Sequence, residues 1–89
     1  MAIISKNVVI GTSATLIHTS ASNGCTVHIY STGSGQDVTL GPSTVVSGTG
    51  YQLPASKVTE FDFNLPPGES LYGIVASSTK TLNVLVVEY

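Results

Sequence analysis

Apolar and polar residues alternate along several short segments of the chain, and clusters of Gly, Ser, Asn and Pro separate these segments. The clearest case is the segment 60–65, where Phe61, Phe63 and Leu65 share one face and polar residues share the other. A period of two places successive side chains on opposite faces of a strand. The pattern therefore predicts strands with one buried and one solvated face, as in two-layered antiparallel sheets.

Eight segments fit a strand, and no segment has the period of an amphipathic helix. Short strands separated by turn residues at this spacing are typical of a sandwich or barrel. We therefore predict an all-β fold, a compact antiparallel β-sandwich or barrel that is jelly-roll-like, with about seven to eight short strands in one domain spanning residues 1–89. The predicted strands are Asn7 to Ile10, Ala14 to His18, Thr26 to Ser31, Asp37 to Leu40, Tyr51 to Leu53, Glu60 to Asn64, Leu71 to Ala76 and Thr81 to Tyr89.

The last predicted strand is apolar on both faces. Its two faces hold, in turn, Leu82, Val84 and Val86, and Leu85, Val87 and Tyr89. Such a strand needs cover on both sides, which either a protein partner or a loop of the same chain can provide. We predict a protein interface that combines this outer face with the start of the chain and the segment near residues 51–53. Its predicted residues are Ile3, Ile4, Tyr51, Leu53, Leu85, Val87 and Tyr89.

Charged residues are scarce, at 9% of the chain, whereas soluble domains carry about a quarter. A net charge of −2 without one arginine cannot neutralise several phosphates, so we expect no nucleic-acid partner. Sparse charge also limits the solubility of a lone domain and favours a surface that partners cover. Cys25 is the single cysteine, which leaves no intramolecular disulfide. The apolar runs are too short for a signal peptide or a membrane span, and we expect no membrane contact.

The residues that could carry chemistry do not form a recognisable motif. His18, His28 and Cys25 lack the spacing of a zinc site. Cys25 and His28 lie three apart on one predicted strand, so their side chains point to opposite faces and cannot act as nucleophile and base. Glu60 and Asp62 share a strand face, which we interpret as solvated. We therefore expect no enzymatic activity, no metal and no cofactor.

One arrangement of residues resembles a known group of proteins. The segment 37–41 is followed by a polar, Gly-rich loop, then by the segment 63–76 with Pro66, Pro67 and Gly68 before a strand that contains Tyr72, and finally by the segment 81–85. This order is similar to that of small β-sandwich virion proteins of tailed bacteriophages. The resemblance spans most of the chain from Asn7 onward and rests on strands and turns, and it includes no catalytic residues.

The resemblance implies a capsid decoration protein, made in the host cytoplasm and located on the exterior of the virion. Such a protein binds the major capsid protein at capsomer junctions, assembles as a homo-oligomer with a trimer favoured, and stabilises the shell. The alternative is a head- or tail-fibre module that binds a host receptor or glycan through Tyr30, Tyr51 or Tyr72, since tyrosine rings serve both sugars and protein interfaces.

Overall fold

The computed structural model describes residues 2–33 and 35–89. Within these ranges the chain forms eight strands, and each predicted strand is confirmed, with small changes in the bounds of all but the first. The strands are β1 (Ala2–Ile10), β2 (Thr15–Thr19), β3 (Cys25–Ser31), β4 (Val38–Gly41), β5 (Tyr51–Leu53), β6 (Thr59–Leu65), β7 (Ser70–Ile74) and β8 (Lys80–Glu88). In this described part of the chain, no helix is both long enough and apolar enough to cross a membrane.

The strands form two antiparallel sheets of four strands each. Sheet A has the order β1-β8-β3-β6, and sheet B has the order β2-β7-β4-β5. Consecutive strands alternate between the sheets, except that β4 and β5 form a hairpin within sheet B. This strand order is that of a jelly roll, which packs two Greek keys face to face. The predicted fold class is therefore confirmed.

The core lies between the sheets and is built by the alternation of side chains along each strand. On β3, residues Cys25, Val27, Ile29 and Ser31 are buried, whereas the residues between them are half-buried on the outer face. Strand β8 repeats this pattern, with Leu82, Val84 and Val86 inside. Each fully buried aliphatic side chain contributes roughly 1.5–3 kcal/mol of transfer free energy. The core residues are Ile10, Ile17, Cys25, Val27, Ile29, Val38, Leu40, Leu53, Leu65, Leu71, Val75, Leu82, Val84 and Val86.

Strand β1 begins at Ala2, five residues earlier than Asn7, where the prediction placed its start. The segment 2–6 has adjacent apolar residues followed by adjacent polar ones, so it lacks the alternation that marks a strand in sequence. The extension comes from the partner strand. β8 pairs with β1 along its whole length, from Ala2 opposite Glu88 to Ile10 opposite Lys80.

The outer faces of the two sheets differ in what covers them. The loop of residues 42–50 folds over the outer face of β4, where Thr39 is only 1% exposed. The Thr39 hydroxyl accepts a hydrogen bond of 3.0 Å from the Gly48 backbone N–H. A Cβ atom at Gly41 would lie 3.1 Å from Val45 Cγ2, so the loop packs closely on this strand. Sheet A has no equivalent cover among the described residues, and its outer face meets solvent.

Candidate functional site

The predicted interface residues do not all lie on one surface. Ile3, Ile4, Tyr51, Leu85 and Tyr89 are exposed, and Val87 is half-buried. The prediction that Leu53 is an interface residue is wrong, because Leu53 is 1% exposed and belongs to the core. Strand β5 has only three residues, and its alternation turns Leu53 inward opposite Val38. Leu53 therefore belongs to no exposed surface.

Three of these residues form a patch on the outer face of sheet A. Ile3 on β1 lies directly opposite Val87 on β8. Leu85 lies two residues before Val87 in the chain, on the same face of β8. Ile3 is 71% exposed and Leu85 is 42% exposed. We call Ile3, Leu85 and Val87 the sheet A patch. Ile3 and Leu85 are exposed, Val87 is half-buried, and adjoining apolar side chains at a surface are a common mark of protein contact.

Polar residues occupy the side of this outer face that lies toward β6. His28 on β3 lies opposite Asp62 on β6, and the two side chains form an ion-pair contact. The second ring nitrogen of His28 lies 3.9 Å from a carboxylate oxygen of Glu60. Glu60 and Asp62 are exposed, which confirms the prediction that they lie on a solvated face. The sheet A patch is thus bordered by charge on the β6 side.

Ile4 and Tyr51 lie away from the sheet A patch, at the two margins of the sandwich where the edge strands of the two sheets face each other. We call the margin where β1 faces β2 the β1–β2 margin, and the opposite one, where β6 faces β5, the β5–β6 margin. Ile4 belongs to the inward-facing set of β1, since it pairs with buried Val86. Tyr51 lies on the inward face of β5, opposite Leu40. The seven predicted residues therefore do not form one continuous surface.

The β5–β6 margin opens as an apolar cleft. The cleft has a volume of about 350 Å³, and its lining residues are Leu40, Gly41, Tyr51, Phe61, Phe63 and Leu71. The ring centroids of Tyr51 and Phe61 are 4.8 Å apart, and those of Phe61 and Phe63 are 6.1 Å apart. The sequence predicted Phe63 as a core residue, yet it is 40% exposed. Because β5 ends after three residues, too little of sheet B faces β6 to cover this ring.

The β1–β2 margin is closed by a polar network. Lys6 Nζ lies 3.1 Å from His18 Nδ1, and His18 Nε2 lies 2.7 Å from Glu88 Oε2. An ammonium group only donates hydrogen bonds, so Nδ1 accepts and a protonated Nε2 donates to the carboxylate. The other oxygen of Glu88 accepts a bond of 3.3 Å from the Ala21 backbone N–H. The hydrogen bond from His18 lowers the pKa of the Glu88 carboxyl below its ordinary value.

Cys25 lies beside this network and opposite Glu88 in the β3–β8 ladder. One ligand-type atom each of His18, Cys25 and Glu88 lies within 4.8 Å of the others, a set that could hold a metal ion. Two features oppose this use. Burial raises the pKa of the Cys25 thiol, which favours the protonated form that binds metal weakly. Lys6 already donates to His18 from the other side of the ring and adds a positive charge there.

Sequence reasoning grouped His18, His28 and Cys25 as possible metal ligands and did not include Glu88. The structure places His18 on sheet B facing inward and His28 on the outer face of sheet A, so the two histidines do not meet. Glu88 is 70 positions from His18. No local spacing signals this contact, since it depends on the order of strands in the two sheets.

Both margins therefore carry side chains that distinguish them from an ordinary sandwich edge. The polar network joins β1 and β8 of sheet A to β2 of sheet B, whereas the cleft leaves three aromatic rings reachable from solvent.

Comparison of the chain with protein-family models, with curated proteins and with solved structures gave no match.

Proposed function

We propose that this protein is a non-enzymatic structural component of a virus particle, a decoration protein that attaches to the outer surface of a phage capsid and stabilises the shell. The observation that carries the proposal is the sheet A patch, an apolar surface on the face of the sandwich that none of the described loops covers. The strand and turn order that resembles phage virion proteins supplies the kind of partner, the major capsid protein.

The two outer faces support sheet A as the attached side. On sheet B the loop of residues 42–50 already covers β4 and satisfies the Thr39 hydroxyl. On sheet A the centre of the face holds Leu85, and only its β6 side carries the acidic pair. Burial of an apolar centre inside a polar rim is the usual anatomy of a protein interface. A decoration protein would apply this contact many times on a repeating lattice, so modest single contacts add up to durable attachment.

The chemistry of the described side chains agrees with a structural role. His18 and Glu88 bind each other and, through Lys6 and Ala21, have further partners. The raised pKa of Cys25 keeps the thiol from acting as an activated nucleophile. The acids Glu60 and Asp62 are on an open face without a cleft between them. These side chains are arranged in a way that suits the packing of the fold more than catalysis of a reaction.

The test is reconstitution of a shell. Empty shells assembled from the major capsid protein of the same genome are mixed with the purified chain, and cosedimentation and the temperature of shell disruption are measured. We expect saturable binding at a fixed number of copies per capsomer and a higher disruption temperature. A wild-type chain that leaves the shells unbound and unstabilised would overturn the proposal.

A matched pair of leucines locates the contact. Leu85 is 42% exposed on sheet A, and Leu16 is 47% exposed on the edge strand of sheet B. We expect Leu85→Lys to weaken shell binding by about tenfold or more, because a lysine in an apolar contact must lose its hydration. Leu16→Lys is expected to bind as the wild type does. Equal losses in both variants would mean that sheet A is not the attached face.

The β5–β6 cleft favours a second candidate, a head- or tail-fibre module that binds a host receptor. A concave apolar site of about 350 Å³ lies within the range of small ligand pockets, and Tyr51 at its mouth is exposed. Its walls offer few hydrogen-bonding groups, which suits an apolar or aromatic group of a receptor more than a free sugar. A screen of glycans and host envelope extracts against wild type and Tyr51→Ala tests it, and binding that Tyr51→Ala leaves unchanged would remove the cleft from consideration.

A further inference from the structure

The edge strands of the two sheets are not equally protected against pairing with another strand. Four strands lie at sheet edges in the described ranges, namely β1, β2, β5 and β6. Natural proteins block such edges with charges, prolines, bulges or short strands. β2 has a register shift between Leu16 and His18, and β5 has three residues followed by Pro54. β6 presents Glu60 and Asp62. Each of these three edges therefore carries a blocking feature.

Strand β1 has no bulge and no proline, is not short, and carries a single charge at Lys6. It runs for nine residues without glycine, proline or an acidic residue, and it pairs with β8 in an unbroken register. Its one charged side chain, Lys6, is inward-facing and bound to His18. Within the described residues, the backbone groups on the free side of β1 have no hydrogen-bond partner in this chain. An edge of this length with unpaired backbone groups is a template for another strand.

The sequence of β1 points to a particular partner strand, since its pattern is symmetric about Lys6. Antiparallel pairing of Ala2–Ile10 with the same segment of a second copy, with Lys6 at the centre, matches apolar with apolar and polar with polar. The resulting pairs are Ala2 with Ile10, Ile3 with Val9, Ile4 with Val8, and Ser5 with Asn7. Each pair occurs twice across a two-fold axis. The two central lysines lie opposite each other, a like-charge contact that weakens the pairing, although each Nζ lies 3.1 Å from His18 Nδ1 of its own chain, on the side of sheet B.

We propose that this protein forms a symmetric dimer in which β1 of one copy pairs with β1 of a second copy, which joins the two A sheets into one continuous sheet. The outer-face residues Ile3, Ser5, Asn7 and Val9 then meet residues of the same face, so the two-fold axis runs perpendicular to the sheet. Both copies of the sheet A patch face the same way. The pairing rests on β1 alone and does not depend on attachment to a capsid.

The dimer would place two copies of the sheet A patch on one continuous face. Two patches on one continuous face present a bivalent surface to a repeating partner, which raises the effective strength of attachment. This arrangement has two copies, whereas the resemblance to phage decoration proteins implies three. A two-fold pairing of β1 uses the free edge of both chains, so it leaves no open β1 for a third. The mass in solution separates the two assemblies.

A charge-swap experiment tests both the dimer and its register. Ile3 and Val9 are exposed, at 71% and 56%, so substitutions there leave the core intact. In one chain they are roughly 20 Å apart by strand rise, which prevents pairing within a monomer. The variant Ile3→Lys with Val9→Lys places like charges opposite each other twice in the dimer. The variant Ile3→Glu with Val9→Lys places opposite charges there instead.

Sedimentation equilibrium over a range of concentrations gives the mass of each protein at low salt. We expect a dimer for wild type, at least about tenfold weaker association for the double-lysine variant, and recovery in the Glu/Lys variant, from the usual strength of cross-strand charge pairs. Circular dichroism and unfolding of each variant confirm that the fold is kept. A wild-type monomer, a trimer, or equal association of the two double variants would overturn the proposal.

Discussion

The two margins of the sandwich differ in how the space between the sheets is filled. Where β1 faces β2, Lys6, His18 and Glu88 connect side chains of both sheets through hydrogen bonds of 3.1 and 2.7 Å. Where β6 faces β5, Tyr51, Phe61 and Phe63 leave an apolar cleft of about 350 Å³. A hydrogen-bonded network fixes the positions of its members by direction and distance. An apolar cleft fixes positions less closely and leaves surface for contact.

The difference follows from strand length at each margin. β1 has nine residues and reaches far enough to place Lys6 beside His18. β5 has three residues and leaves Phe63 partly uncovered on the opposing strand. At both margins every second side chain points inward between the sheets. The types of these residues and the length of the facing strand therefore decide whether the margin is closed or open. The β1–β2 margin is therefore closed by hydrogen bonds, and the β5–β6 margin is open to solvent.

The largest effect is expected for His18→Ala, which removes the centre of the polar network. Lys6 and Glu88 each lose a partner in a partly buried place, and the packing of the imidazole is also lost. We expect the free energy of unfolding to fall by about 3 kcal/mol, as measured by urea denaturation at pH 7.

The other histidine provides the control for this change. His28 lies on the outer face of sheet A, with 43% of its side chain exposed beside Asp62. Exposed ion pairs contribute about 0–1 kcal/mol, so His28→Ala is expected to reduce stability by less than about 1 kcal/mol. If the two variants lost the same amount, the contrast between the margin network and the open face would fail.

A smaller effect is expected at the apolar margin, where two phenylalanines on one strand differ in cover. Phe61 is half-buried and packs against the core, so Phe61→Ala should destabilise by about 2 kcal/mol, less than a fully buried phenylalanine. Phe63 is 40% exposed, and Phe63→Ala should lose about 1 kcal/mol or less. Chemical denaturation of both variants measures the difference. Equal losses would mean that Phe63 is part of the closed core in solution.

The sequence predicted the strands well because their signal is local. Alternation along β3 and β6 marks these strands, and turn residues mark the connections. It also placed Glu60 and Asp62 on a solvated face correctly. The start of β1 escaped this reasoning, since its first residues do not alternate and owe their conformation to pairing with β8.

The sites could be predicted less well, because they depend on which strands become neighbours. Leu53 was assigned to a surface, and the register of β5 turns it into the core. The contact of His18 with Glu88 joins two sheets across most of the chain length. Phe63 has the alternation of a core residue but lies opposite a strand too short to cover it. Each of these outcomes is a property of the topology and has no signature in the neighbouring residues.

The smallest effect concerns pH and the carboxyl of Glu88. Its pKa is lowered in the folded protein by the hydrogen bond from His18, so the folded state favours the ionised form more than the unfolded chain does. The stability that this group contributes is therefore fully present above the ordinary glutamate pKa of about 4.3 and is lost as pH falls through the lower folded value. Glu88→Gln removes this contribution. Its effect at pH 7 should be smaller than that of His18→Ala, because the amide oxygen can still accept a hydrogen bond from the ring.

The measurement compares the free energies of unfolding of wild type and Glu88→Gln from pH 7 down to pH 3. The difference between the two proteins at pH 7, where a glutamate with an ordinary or a lowered pKa is ionised, serves as the reference. Below the ordinary glutamate pKa the difference should shrink, since the wild-type carboxyl becomes protonated in the unfolded chain first and in the folded protein at lower pH. A difference that stayed constant down to pH 3 would mean that the His18–Glu88 bond does not favour the ionised carboxyl, and the β1–β2 margin would then be closed by packing and neutral hydrogen bonds alone.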